Sequence, residues 1–444
     1  VDSNPLADPL ADPLAPGRAL LAAGRFDAAL RALAGAPPGP GREALLGAAR
    51  LGRREHAAAI GHLRRALAEV PADPAALLAL ARAHLVSGDA FRASALLDRL
   101  GRLDPAHPGL RRALASAWRR DARYADAVRL VRDAGPEGER DPELLYERAM
   151  AELGLGRAQD ALACFDRLLA IDPEHAAAWF GSHAPALALA GPEEALRRLG
   201  RAVACPGANR KYWGHLVSYL LLLGREAEAR AAFDAHLARH PHRRHLAEGT
   251  AALLPHLAPG WRLFGVSQDL LRHAVSTARV EGLVLEFGVR RGASIDAVAE
   301  AAGQPVHGFD SFEGLPEAWG NEAPGTYTTG GRLPAVRPGV TLHPGWFEDT
   351  LPRFLARHEG PVRFANVDCD IYSSTRTVLS ALAGRIVPGT VLVFDEFIGN
   401  KTWREHEFRA FAEFAAEHRA GFEHLAVAPA TKQVALRITR IGRD

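Results

Sequence analysis

The sequence predicts two architectures in tandem: an all-α array of helical repeats, then an α/β domain on a mostly parallel sheet of seven strands. Three observations carry that prediction. Small residues fall on one register 34 residues apart, at Ala59, Ala93, Ala127, Ala161, Ala195 and Ala229. After about residue 245 this period stops, and short apolar runs alternate with helix-length segments, the pattern of strands joined by crossover helices. Acids and glycines then gather where the apolar runs end, most plainly in "NVDCDIYSS", residues 366–374.

The first fourteen residues repeat a "LADP" unit whose prolines block a helix interior, so residues 1–16 are expected to be a flexible leader. The repeats are expected to fill residues 17–243. Around each periodic alanine the pattern recurs in kind, as in "GDAFRASALL" and "GRAQDALACF", and several units close on proline, at Pro105, Pro173 and Pro241. A helix, a turn, a second helix carrying a small residue and a terminal proline, repeated every 34 residues, resemble the tetratricopeptide repeat. The small residue lets two helices approach closely and the proline stops the second one. His183 departs from the pattern, standing where other units carry Ala81, Ala115 and Ala149, and predicts a looser helix contact. Trp179, Tyr212 and Trp213 are expected in the packing between helices. Such an array offers a surface for a partner protein, a peptide substrate or a second subunit.

Residues 244–444 are expected to form the α/β domain, entered through "LLPHLAPGW", whose two prolines and glycine mark a linker or a first cap. Its strands are read at 282–289, 305–310, 339–345, 362–368, 389–397, 422–428 and 433–439. In sheets of this kind ligands bind outside the carboxyl ends of the strands. The first run ends in "LEFGVRRGAS", where Glu286, Gly288 and Gly292 mark a turn into a helix, close backbone approach and free amide donors. Asp310 follows 22 residues after Gly288, at the next strand end, where an acid takes ribose hydroxyls. Together they point to a nucleoside, without deciding between a dinucleotide and S-adenosylmethionine, although the missing middle glycine counts against a pyrophosphate. Trp346 or Phe347 offers a stacking face for a base. The Gly/Pro/Thr-rich segment from Pro316 to Pro334 has neither helix nor strand period and is expected to line an acceptor pocket.

The motifs "LEFGVRRGAS", "HGFDSFEGLPEAW", "GWFEDTLP", "DCDIYSST" and "IVPGTVLVFDEF", in this order over roughly residues 255–439, resemble the macrocin O-methyltransferase family of class I S-adenosylmethionine-dependent enzymes. The resemblance implies a Rossmann-like methyltransferase fold and magnesium-assisted methyl transfer to a hydroxyl, on a sugar or another natural-product scaffold or on a peptide. It implies cofactor contacts from Glu286, Gly288, Gly292, Ser294, Asp310, Ser311, Gly345, Trp346 and Asp368. The family's metal-binding acids fall on Asp368, Asp395 and Glu396.

Asp368 ends one strand, and Asp395 with Glu396 ends the next, so three carboxylates are expected at one rim. Hard oxygen ligands suit magnesium or another hard divalent cation rather than zinc, and such an ion lowers the pKa of a bound hydroxyl. No lysine lies in residues 366–374, so proton removal falls to a carboxylate, a metal-bound group or a histidine. The candidates for catalysis are Asp368, Asp370 and His406. Asp370 has a competing reading as a helix cap, His406 as an exposed helix residue, and Tyr372 as core or substrate contact.

Composition narrows the rest. A net charge of +2 offers no broad basic field, so neither nucleic acid nor an anionic membrane is expected as partner. Cys164, Cys205 and Cys369 share no ligand-like spacing, which argues against a disulfide framework or zinc and fits a reducing cytoplasm. No targeting segment is expected, and no apolar run approaches the ~20 residues a membrane helix needs. Two other readings stay open: a nucleotide-dependent oxidoreductase on a similar sheet, and a repeat scaffold whose second half keeps the fold without turnover.

Overall fold

The computed structural model describes residues 12–320 and 322–442. Most of the expected leader, residues 1–11, lies outside the described residues, and the first helix is Ala15–Ala22. The chain divides between Asp121 and Ala122 into two compact units, the later repeats belonging to the same unit as the sheet.

Helices follow the predicted period. In the first unit they pair as Ala15–Ala22 with Phe26–Ala34, Pro40–Gly52 with His56–Glu69, and Pro74–Val86 with Ala90–Leu103, ending on Leu110–Arg120. In the second, Pro142–Gly154 pairs with Ala158–Ile171, Ala176–Ala190 with Pro192–Ala204, and Lys211–Leu222 with Glu226–His236. The six periodic alanines lie one turn into the second helix of each unit, and none is more than 1% exposed. A larger side chain there has no room, which is why the register keeps alanine. His183 is buried among Phe180 and Tyr219, with ring centroids 5.0 and 5.2 Å away, so the bulk predicted to loosen this helix pair is absorbed by aromatic packing. Tyr212 stacks on Phe180 at 4.3 Å and Trp213 on His236 at 3.5 Å.

The sheet has eight strands: β1 (Leu257–Leu263), β2 (Leu283–Phe287), β3 (Val306–Asp310), β4 (Val340–Pro344), β5 (Val362–Val367), β6 (Val391–Phe394), β7 (Gly421–Ala428) and β8 (Gln433–Arg440). Their order is β1-β7-β8-β6-β5-β2-β3-β4, parallel throughout except that β8 runs antiparallel to both β6 and β7. The sequence pattern predicts seven. The eighth, β1, carries Pro259 and Gly260 and reads as linker; as an edge strand with an irregular register against β7 it tolerates both.

Successive side chains of the central strands serve opposite faces. Leu285, Phe287, Leu392 and Phe394 join one core with Leu246 and Leu253 from the last helix before the sheet, while Val284, Val391 and Val393 join the core on the other face. The repeats of the second unit are also tied to the sheet domain by hydrogen bonding: buried Gln268 donates from Nε2 to the Gly154 carbonyl at 2.8 Å. No helix among the described residues is long and apolar enough to cross a membrane.

Candidate functional site

The chain leaves β2 toward β3 and β4 on one side, then returns to β5 and β6 on the other. Connections that diverge in this way open a crevice at the strand ends. Gly288 follows β2 and Asp368 follows β5 across it. The Asp368 N–H donates to the Phe287 carbonyl at 2.8 Å. Asp310, closing β3, accepts the backbone N–H of Arg290 at 2.7 Å and of Phe312 at 2.6 Å, and so fixes the loops after β2 and β3. A cavity of about 340 Å³ opens over these ends, within the range of small-molecule sites. Gly288, Asp310, Ser311, Gly345 and Trp346 line it, with Phe347 beside them; Asp368, Asp370, Asp395 and Glu396 line it as well. From the Pro316–Pro334 segment, Pro316 and Tyr327 reach the cavity, Tyr327 beneath the Arg290 guanidinium at 5.0 Å.

The acid-bearing loops are held by a residue that the sequence patterns do not single out. Glu407, fully buried at the start of the helix Glu407–Glu417, accepts the N–H groups of Cys369 and Asp370 on Oε1, each at 3.2 Å, and that of Glu396 on Oε2 at 2.9 Å. One carboxylate thus joins the ends of β5 and β6. Burial pushes the carboxyls of Asp368, Asp370, Asp395 and Glu407 above their usual range, and their proximity to one another pushes them further. Raising a carboxyl's pKa makes its ionised form a stronger base. The helix Tyr372–Leu382 is capped at Ile371 with no side-chain cap, so Asp370 does not serve the capping role weighed from sequence. Its backbone instead holds a left-handed φ of 61°, a strained conformation for a residue with a side chain.

The donor chemistry of these acids suits a hard cation, but their arrangement does not. Among the described residues no group of three or more His, Cys, Asp or Glu side chains is placed to hold a metal ion. Both Glu396 oxygens face Lys432 Nζ, at 2.8 and 3.1 Å, and Oε2 also accepts from Asn400 Nδ2 at 2.6 Å. Asp395 Oδ1 accepts from Gln433 Nε2 at 2.5 Å. The acids expected to hold magnesium, Asp368, Asp395 and Glu396, therefore do not fit it in this arrangement, because the turn between β7 and β8 already occupies two of them.

The other expected residues lie apart from the cavity wall. Glu286 is fully buried and bonds to Ser294 Oγ at 2.7 Å and Asn366 Nδ2 at 3.2 Å; burial raises its pKa to about 8. Gly292, with a φ of 86°, caps the next helix near Pro334 and Val336. His406 bonds through Nε2 to Thr402 Oγ1 at 3.1 Å and caps the Glu407–Glu417 helix, outside the residues that line the cavity. Tyr372 donates to Glu413 at 2.5 Å beneath Arg409, a tie between two helices. Glu407, Lys432 and Gln433 have no signal in sequence beyond their types: Lys432 is one of three lysines among 54 basic residues.

Residues 285–397 match the family model described as a methyltransferase domain, and residues 50–117 and 142–175 match two tetratricopeptide-repeat models. The chain carries tetratricopeptide repeats followed by a C-terminal methyltransferase domain. A curated relative, the 8-demethyl-8-(2,3-dimethoxy-alpha-L-rhamnosyl)-tetracenomycin-C 4'-O-methyltransferase of Streptomyces olivaceus, is 30% identical over 159 residues, covering 29% of this chain and 59% of that protein. The chain thus spans less than two thirds of that relative's length. Among solved structures, the O-methyltransferase NovP is 22% identical, with 39% of this chain and 79% of that one covered and a TM-score of 0.31. A thermophilic tetratricopeptide protein of Thermus thermophilus is 23% identical, with 41% and 99% covered and a TM-score of 0.36.

Proposed function

We propose that this chain is an S-adenosylmethionine-dependent O-methyltransferase that acts on a hydroxyl of a sugar or another natural-product scaffold. One observation carries the reading: Gly288, Asp310 and Gly345, at three neighbouring strand ends, line the same cavity as the strained Asp370. Gly288 lets the turn after β2 pack against the Asp368 carbonyl at the cavity wall, and an acid at the β3 end suits ribose hydroxyls. The curated relative, whose name gives it an O-methyl transfer to a rhamnosyl group, supports the same acceptor class.

When bound, S-adenosylmethionine supplies an electrophilic methyl group. Asp310 holds the ribose, Trp346 and Phe347 flank the base, and the wall made by Leu315, Pro316 and Tyr327 positions the acceptor. Asp370 would accept the proton of the acceptor hydroxyl. Most of the rate then comes from orientation of the hydroxyl, with Asp370 removing the proton. Magnesium has no step in this scheme. The repeats present a surface for a partner protein, the acceptor's carrier or a second subunit.

Calorimetric titration with S-adenosylmethionine, followed by transfer of a labelled methyl to a panel of hydroxylated glycosides, tests the proposal. Asp310→Ala removes charged hydrogen bonds worth ~1.5–3 kcal/mol each and is expected to weaken cofactor binding at least about tenfold. Equal affinity in wild type and variant would remove the basis for the assignment.

A further inference from the structure

Lys432 sits at the turn between β7 and β8, in a left-handed conformation with φ of 64°. An ammonium has three donors and no acceptor. Here all three are directed: two to the Glu396 oxygens at 2.8 and 3.1 Å and one to Asn400 Oδ1 at 2.8 Å. Asn400 closes the ring by donating to Glu396 at 2.6 Å. The residue after Lys432, Gln433, is 1% exposed and takes Asp395, while Thr431 Oγ1 donates to Gln433 Oε1 at 2.9 Å and sets its amide. Three consecutive residues are thus wired to the Asp-Glu pair at the end of β6. Gly399 approaches the same lysine so closely that a Cβ there would lie 3.1 Å from Lys432 Cγ, which confines the stem as well as the head.

We propose that Lys432 is the resident cation of the carboxylate cluster, so that the site carries out its chemistry without a divalent ion, with Lys432 acting as the positioning residue for Glu396. A cation placed among carboxylates lowers their mutual repulsion whether it is a metal or an ammonium. A compact ammonium on a flexible stem does this where a guanidinium does not fit, which gives a reason for lysine in a chain whose basic residues are otherwise nearly all arginine. A magnesium ion demands near-ideal octahedral oxygens and would have to displace Lys432 and Asn400 from Glu396 and Gln433 from Asp395. The absence of a metal step rests on the methyltransferase reading; the occupancy of the cluster does not.

The test is calorimetric titration of the full-length protein with magnesium alone, in wild type and in Lys432→Met, alongside methyl transfer with and without a chelator. Wild type is expected to show no saturable heat up to about 1 mM magnesium, where an octahedral all-oxygen site would fill, and to keep its transfer rate in chelator. Lys432→Met is expected to gain a magnesium site and to lose transfer unless magnesium is added, a change in metal dependence that loss of a merely structural contact does not produce. Saturable magnesium uptake by wild type below about 1 mM overturns the proposal, whether or not Lys432→Met folds. A protein that neither binds S-adenosylmethionine nor transfers a methyl group overturns the functional reading, while the wild-type titration still decides the role of Lys432.

Discussion

Gly288 and Asp368 face each other so closely across the crevice between β2 and β5 that a Cβ on Gly288 would sit 1.9 Å from the Asp368 carbonyl oxygen. The contact joins the cofactor-side turn to the acid-bearing loop, so a change at the glycine moves both.

Gly288→Ala is accordingly expected to fail twice. Its φ of 94° costs a side chain about 1–3 kcal/mol, and the overlap forces the Asp368 loop away. A thermal midpoint lowered by about 5 °C or more and loss of S-adenosylhomocysteine binding in calorimetry are the expected outcomes. A variant with unchanged midpoint and binding would show that the two strand ends move independently.

Asp370→Asn separates catalysis from stability. Because burial and the neighbouring Glu396 raise the Asp370 pKa, the charged form is disfavoured in the folded state, and a neutral amide of the same shape is expected to leave the thermal midpoint at pH 8 equal or higher. If Asp370 takes the acceptor proton, kcat falls about 100-fold or more with cofactor affinity kept. Retained kcat would move proton removal to another acid of the cavity wall, Asp395 first.

Glu286 makes a prediction about pH. Its folded-state pKa of about 8 lies above its ordinary 4.5 because of burial, partly offset by Ser294 and Asn366. Folding therefore takes up a proton: the stabilisation is whole below about pH 4.5 and is lost as pH rises through about 8. Asp368, Asp370, Asp395 and Glu407 act in the same direction. Scanning calorimetry without ligand is expected to show the wild-type midpoint falling between pH 5 and pH 8, and Glu286→Gln to flatten part of that slope, at about 1.4 kcal/mol per pH unit for one group. Identical slopes would mean that Glu286 is ionised throughout.

Local signals in the chain determine much of this architecture. A 34-residue alanine register needs only neighbouring helices to take effect, and all six alanines are buried as that register requires. Acids and glycines at Gly288, Asp310, Asp368, Asp395 and Glu396 reach one cavity because strand ends in a parallel sheet point the same way. Relations between distant segments were decided by tertiary structure alone. Pro259 and Gly260 speak against a strand until an edge beside β7 exists to accept them. Glu407 carries no signal until the loops after β5 and β6 fold against it, and neither does Lys432 until β8 inserts antiparallel beside β6 and brings its ammonium to Glu396, 36 residues earlier in the chain. Charge compensation depends on distance in space, and a sequence records distance only along the chain.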